Sequence, residues 1–396
     1  MLPFSIEEYK LRVKETKKKM LEQGIEVLLV TNPANMNYLS GYNGWSFYVD
    51  QMLVVMIDEE EPIWIGRKQD ANGAKATTWL YKDHIIPYPE DHVHSAAKHP
   101  ADFVAQILTQ IGQNNRRIGL EMESYYFSAL MYERLKKNLP SARFIDASLL
   151  INYVRLIKSD KEIEYMKRAG KIVEKAMKTA VVSIEEGVRE CDVVADIYKD
   201  LISGTKEYGG DYPAIVPLLP SGANTSTPHL TWSDKTFKHG EMVIIEIAGC
   251  HQRYHAPLAR TVSIGKPSDR IMDVSKIVVE GLNEALDAVK PGVTCEEVER
   301  AWNKVITKYG IVKESRLGYS MGLNYPPDWG EHTANLRKGD QTVLQPNMAF
   351  HLIPGLWFDD YGIEISESFI VTKTGCEVLS HFPRELMIKG EPSILL

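Results

Sequence analysis

No stretch of the 396 residues approaches the run of about 20 apolar residues that a membrane-spanning helix needs. A basic excess is missing too: 46 Lys and Arg stand against 53 Asp and Glu, a formal net charge of −7. That balance argues against a general nucleic-acid binder, which usually presents a basic face. Cysteine is scarce. Cys191, Cys250, Cys295 and Cys376 lie far apart and form no CxxC, which excludes a disulfide scaffold and points to reduced thiols in the cytosol. The opening MLPFSIEEYKLRVKETKKKM is charged and amphipathic, without the apolar stretch of a secretion signal, so a cytoplasmic location is expected. What is present is ordinary: 44% hydrophobic and 25% charged residues, as in soluble globular domains. At roughly 100–200 residues per domain, the chain should form two or three units.

The first 150 or so residues alternate between helical and strand patterns. Residues 10–24 read as a helix ended by Gly24, and 25–31 (IEVLLVT) as a buried strand. Further strands are expected at 52–57, 63–66, 117–121 and 143–145, with helices at 102–111 and 126–138. This is an α/β domain over residues 1–157. A second domain, 158–396, opens on Ser159-Asp160-Lys161-Glu162, a capping box in which the Ser159 hydroxyl and the Glu162 carboxylate satisfy each other's backbone N–H groups.

That second domain carries an internal repeat. Gly187-Val188 and Gly292-Val293 each precede a helix, and each helix is followed by a strand of equal spacing, MVIIEIAG (242–249) and MAFHLIPG (348–355). RTVSIGKPS and ESFIVTKTG follow as second strands. Two helices and then antiparallel strands, occurring twice, imply two half-sheets forming one curved sheet with helices outside. A site between the halves would draw on both.

On these segments the chain resembles the creatinase/aminopeptidase P/prolidase superfamily over essentially its whole length. The resemblance implies an α+β protein: a carboxyl-terminal pita-bread domain behind a smaller creatinase-like α/β domain. Most members hold two metal ions with two Asp, one His and two Glu, the hard carboxylate-rich shell such ions need. The matching positions here are Glu246, Pro257, Tyr319 (in Gly318-Tyr319-Ser320-Met321-Gly322-Leu323), Ile353 and Ser366. Pro and Ile offer no lone pair, so no metal and no cofactor is expected. The segments 209–232, 246–262, 318–333 and 355–368 are similar to those of the ectoine hydrolases, a subfamily in which loss of the metal ligands is the rule. The expected substrate is then a small cyclic amidine, ectoine, opened to N-acetyl-L-2,4-diaminobutyrate. A homodimer is implied by the superfamily.

An amidine carbon is already electrophilic, so a site for it needs an anion, a nucleophile or base, a proton donor and apolar walls. Glu246 is the candidate central carboxylate, acting as covalent nucleophile or as general base. It sits inside an apolar strand, where an unpaired carboxylate is costly. His229, in STPHLTW, falls where the superfamily places a catalytic histidine and is the candidate for proton transfer. A lone histidine is more often structural, and the motif match is what reverses those odds. Tyr319 keeps a hydroxyl in place of the ligand His; as an ordinary core phenol it would do nothing. Strand alternation puts Glu364 on the face of Ser366 and turns Glu367 away. The same alternation puts His255 on the face of Pro257, a candidate for the substrate carboxylate. Trp232, Trp329 and Trp357 are candidate walls, each about as well explained as plain core. Tyr48, with Trp45, belongs to an aromatic loop that would cover the site. The competing readings are a hydrolase of another amidine or guanidine, a solute-binding protein without catalysis, and a dimetal peptidase.

Overall fold

The computed structural model describes residues 2–390. They fall into two compact units that divide between Arg155 and Leu156. The elements of the first, in chain order, are α1 (Ile6–Glu22), β1 (Val27–Val30), α2 (Pro33–Ser40), β2 (Met52–Met56), β3 (Ile63–Arg67), α3 (Ala71–Thr77), β4 (Ile85–Tyr88), α4 (Pro100–Gln110), β5 (Arg117–Leu120), α5 (Ala129–Asn138), β6 (Arg143–Asp146) and α6 (Leu150–Val154). Six strands form one mixed sheet in the order β4-β3-β2-β1-β5-β6. Its central strand shows why the sequence reads as a buried run. Leu28 and Val30 of β1 point into one apolar cluster, and Val27 and Leu29 into another on the opposite face.

Four elements, α2, α3, β4 and α6, lie outside the expectation, and two of them are instructive. α2 was not foreseen because every one of its residues is buried, so it lacks an amphipathic period. Its end signals were legible: Asn32 accepts the Ala34 N–H, Pro33 occupies the first turn, and Gly41 closes it at φ 84°. β4 contains Pro87, tolerated because β4 is an edge strand of the sheet.

The second unit continues with α7 (Asp160–Ser183), α8 (Glu190–Ser203), β7 (Met242–His251), β8 (Tyr254–Ile264), α9 (Asp269–Ala288), α10 (Cys295–Lys308), β9 (Gly318–Met321), β10 (Gly330–Leu336), β11 (Ala349–Leu352), β12 (Leu356–Trp357), β13 (Gly362–Ile363), β14 (Glu367–Val371), β15 (Cys376–Val378) and β16 (Met387–Lys389). The capping box closes as read: Ser159 Oγ accepts the Glu162 N–H at 3.3 Å and Glu162 Oε2 accepts the Ser159 N–H at 2.8 Å. The repeat is visible bond by bond. Gly187 N–H donates to Phe237 C=O at 2.9 Å, and Gly292 N–H to Leu344 C=O at 3.0 Å. Phe237 N–H then returns to Val188 C=O, and Leu344 N–H to Val293 C=O. Both glycines hold φ of 84° and 90°, which explains glycine at the same place in each half.

Each half contributes one sheet, β16-β8-β7 and β10-β9-β11-β14-β15. They join along β8 and the segment 364–368. Ser366 N–H donates to Ala259 C=O at 3.1 Å and Ala259 N–H to Ser366 Oγ at 2.7 Å. Thr261 Oγ1 donates to Glu364 C=O at 2.8 Å, and Arg260 Nη2 meets Glu367 Oε1 at 2.6 Å. No helix among the described residues is long and apolar enough to cross a membrane.

Candidate active site

The seam between the two half-sheets gathers the polar residues that the apolar strands would otherwise exclude. β7 and β8 run antiparallel with Glu246 opposite Ala259 and Ala248 opposite Pro257, so these four share one face. Glu246 is buried, in an apolar run whose ten residues are all buried. Burial, followed by the negative charge of Asp328, pushes its carboxyl up to about 8. Glu364 is fully buried as well, and neither of its carboxylate oxygens has a hydrogen-bond partner. Burial and then the charge of Glu246 raise it well above the carboxylate range, with Lys313 opposing. Glu367, three residues on, points the other way into its ion pair with Arg260.

From the other half-sheet, Tyr319 on β9 and His351 on β11 stand opposite each other in register. Trp329 Nε1–H donates to Tyr319 Oη at 2.7 Å, Tyr319 Oη lies 3.0 Å from His351 Nδ1, and His351 Nε2 lies 2.8 Å from Ser366 Oγ. His351 is held neutral, burial pushing it down to about 3. Ala214, Ala248, Tyr319 and Trp329 form one apolar cluster, with Ile215 and Ile353 packed against it. Asp328 anchors the turn beside Trp329, accepting from Gly330 N–H at 2.8 Å and lying 2.6 Å from His332 Nε2.

Of the residues singled out from sequence, the structure brings Glu246, Glu364, Tyr319 and Trp329 together by these contacts and electrostatic couplings. His255 needs correction. Its Nε2 accepts the Ala214 N–H at 2.9 Å and its Nδ1 lies 3.4 Å from Gly322 C=O, so both nitrogens are spent on the backbone. Burial holds that ring neutral, pushing it well below its usual range, and it has no charge to offer a substrate carboxylate. His229 is exposed on the segment after the short turn Gly222–Ser226 and takes no part in the hydrogen-bonded group. Trp232 lies edge-on to Tyr198, with ring centroids 6.3 Å apart. Trp357 carries Lys313 over its ring, the ammonium 4.8 Å from the centroid. In the first unit, Tyr48 and Trp45 are exposed, and Tyr48 Oη accepts from Arg67 at 3.2 Å.

Two residues escaped the sequence reading. His351 sits in the MAFHLIPG segment, two residues before Ile353, so the alternation that located Glu364 would have located it too. Lys313 lies in the connection between α10 and β9, where no periodicity points to it. Its ammonium donates to Gly355 C=O and Ser315 Oγ, both at 2.8 Å. Burial lowers it to about 8, with Glu364 opposing.

Comparison with known proteins places this geometry. The metallopeptidase family M24 model matches residues 164–373, and the creatinase/prolidase N-terminal domain model matches residues 12–157. The chain is 45% identical over 395 residues to an ectoine hydrolase of Halomonas elongata, covering 98% of this chain and 99% of that one. It is 47% identical over 389 residues to an uncharacterized hydrolase/peptidase of Sinorhizobium fredii, covering 98% and 99%. Among solved structures, the prolidase of Pyrococcus horikoshii superposes with a TM-score of 0.81 at 24% identity, covering 95% of this chain and all of that one.

The family description implies a resident metal, and the residues present do not fit one. The positions that would supply its ligands hold one carboxylate, a proline, an isoleucine, a phenol already bound to Trp329 and His351, and a serine bound to Ala259 and His351. Among the described residues no three His, Cys, Asp or Glu side chains gather closely enough to share an ion. Fold, both family models and full-length similarity agree: the chain belongs to the M24 family of creatinase- and prolidase-like hydrolases, a pita-bread domain behind a creatinase-type N-terminal domain.

Proposed function

We propose that this protein hydrolyses the cyclic amidine ectoine to N-acetyl-L-2,4-diaminobutyrate without a resident metal. The observation that carries the proposal is the pair of buried carboxyls, Glu246 and Glu364, both raised in pKa by burial and then by a neighbouring acid, with neither oxygen of Glu364 hydrogen-bonded. Such a pair is a liability in an empty site and an asset around an organic cation, which supplies the missing counter-charge. A planar amidinium offers N–H groups on both sides of its carbon, one for each carboxylate. The full-length similarity to an ectoine hydrolase supports this choice of cation.

Within this reading, Glu246 attacks the N–C–N carbon or draws a proton from the water that does. The tetrahedral adduct collapses with cleavage of one ring C–N bond, and the departing nitrogen takes a proton. Ala248, Trp329 and Ile353 form the apolar wall that strengthens these charge interactions by excluding water. The substrate carboxylate, denied His255, has Lys313 as the nearby cation, with one ammonium proton not engaged by Gly355 or Ser315. The homodimer and the cytoplasmic location belong to the same proposal, as do Trp232 and Trp357 as walls of the site.

The test is direct. Purified protein incubated with ectoine, with and without a strong chelator, is followed by mass spectrometry. An acetyl-diaminobutyrate product formed at the same rate in both samples is expected. Absence of product overturns the substrate, and loss of turnover with chelator overturns the metal-free chemistry.

A further inference from the structure

The buried chain Trp329–Tyr319–His351–Ser366–Ala259 has a proton count that decides its direction. Trp329 Nε1–H and Ala259 N–H only donate, to Tyr319 Oη at 2.7 Å and to Ser366 Oγ at 2.7 Å. Between them lie two hydroxyls and one neutral ring, with three protons in all, but only two hydrogen bonds, Tyr319–His351 at 3.0 Å and His351–Ser366 at 2.8 Å. One proton is therefore surplus and must be presented at one end of the chain. With the ring proton on Nε2, the surplus falls on Ser366, which is completely buried and has no other acceptor within reach among the described residues. An unmet buried donor costs about 1–3 kcal/mol. With the ring proton on Nδ1, Ser366 donates to Nε2 and is satisfied. Tyr319 Oη then accepts from both Trp329 and His351, and its own proton must point away from them. Tyr319 is 8% exposed as a residue where Ser366 is wholly buried, and burial followed by the charge of Glu246 keeps the phenol protonated well above its usual range. The surplus belongs at this end.

We propose that His351, protonated on Nδ1, is a positioning residue that turns the Tyr319 hydroxyl outward as the proton donor to the departing ring nitrogen. This rests on the reaction proposed above. In the step, the ring C–N bond breaks with its electron pair going to nitrogen, a new N–H bond forms, and the Tyr319 O–H bond breaks. Burial and the charge of Glu246 disfavour the phenolate that keeps that pair, and the two N–H donors that hold it offset this, the arrangement that stabilises an oxyanion. The water consumed in the hydrolysis gives its hydroxyl to the former amidine carbon and returns its proton to Tyr319. His351 stays neutral throughout.

Two measurements test this. In protein labelled with nitrogen-15 histidine, long-range proton–nitrogen spectra distinguish the tautomers, and the His351 signals are identified by their loss in His351→Asn. A neutral ring with its proton on Nδ1 is expected; a proton on Nε2, or a charged ring, overturns the proposal. This measurement needs no substrate, so it decides the tautomer even if ectoine is not turned over. The second compares His351→Asn, whose amide N–H falls near the former Nδ1–H, with His351→Leu, which has none. For ectoine we expect kcat within about tenfold of the parent for the Asn variant and a loss of about 100-fold for the Leu variant, with KM changed little in both. Equal losses in two variants that fold equally well would overturn the positioning role.

Discussion

Glu364 and Glu367 are three residues apart and equally buried, yet they belong to opposite kinds of region. Glu367 lies in the joint between the half-sheets: Arg260 reaches it at 2.6 Å and Arg384 at 3.2 Å. The Arg260 guanidinium is itself shared with the backbone oxygens of Ala259, Ser366, Phe382 and Pro383. Glu364 has no such provision: neither of its carboxylate oxygens has a hydrogen-bond partner. The same side chain is thus a fastener in one region and an unmet charge in the other. A fold gains nothing from the second arrangement, and the proposed cationic ligand would account for it where stability does not.

The largest effects should separate the two regions. Glu246→Gln should lower turnover of ectoine by 1000-fold or more, since it removes the nucleophile or base. The same change should raise stability at pH 9 by about 1–3 kcal/mol, because a neutral amide replaces a group that must ionise without a partner. Glu367→Gln should do the reverse in stability, costing about 3–5 kcal/mol by leaving Arg260 uncompensated. Urea unfolding at pH 9 beside steady-state kinetics reads both. A Glu246 variant less stable than the parent at that pH would end the comparison.

This contrast explains how far the sequence could be read. The fold was legible because it depends on repetition: the two Gly-Val turns, the two Met-x6-Gly strands and the capping box at Ser159 each have a local cause. The acids were legible too, since a charged residue inside MVIIEIAG is conspicuous and alternation separates Glu364 from Glu367. His255 and Trp329 were both expected near the site by position, but only their hydrogen bonds tell them apart. His255 spends both nitrogens on the backbone of Ala214 and Gly322, whereas Trp329 directs its only N–H at Tyr319. Lys313 was illegible, because a long side chain in an irregular connection acquires its neighbours only in three dimensions.

A smaller and more gradual effect should follow pH. Both site carboxyls have folded-state pKa values raised above the unfolded values, Glu246 to about 8. The folded protein therefore holds protons that the unfolded chain releases once pH exceeds about 4.5. Stability should be fully present below that point and should fall, by a few kcal/mol at most, as pH rises through about 8. Saturating ectoine should flatten the decline by pairing with the ionised acids. Thermal unfolding from pH 5 to 9, with and without ectoine, measures this. A ligand-induced gain that does not grow with pH would place the cation elsewhere.

The smallest change sharpens the comparison most, because it alters charge and almost nothing else. Glu364→Gln keeps the shape of the side chain and removes one of the two repelling acids. If Glu364 only grips the amidinium, its loss should raise KM for ectoine about 10–100-fold, roughly 1–3 kcal/mol for a charge-assisted hydrogen bond, with kcat reduced far less. Glu364 is raised by the charge of Glu246 and so ionises after it, whereas Glu246 is raised by burial and Asp328; the acidic limb of kcat/KM that reports Glu246 should therefore stay in place. A pure structural defect would lower stability to urea along with affinity, and a nucleophile at position 364 would abolish kcat outright. A raised KM with kcat nearly kept and the limb unmoved is the result expected if, as proposed, Glu246 performs the chemistry and Glu364 holds the cation against it.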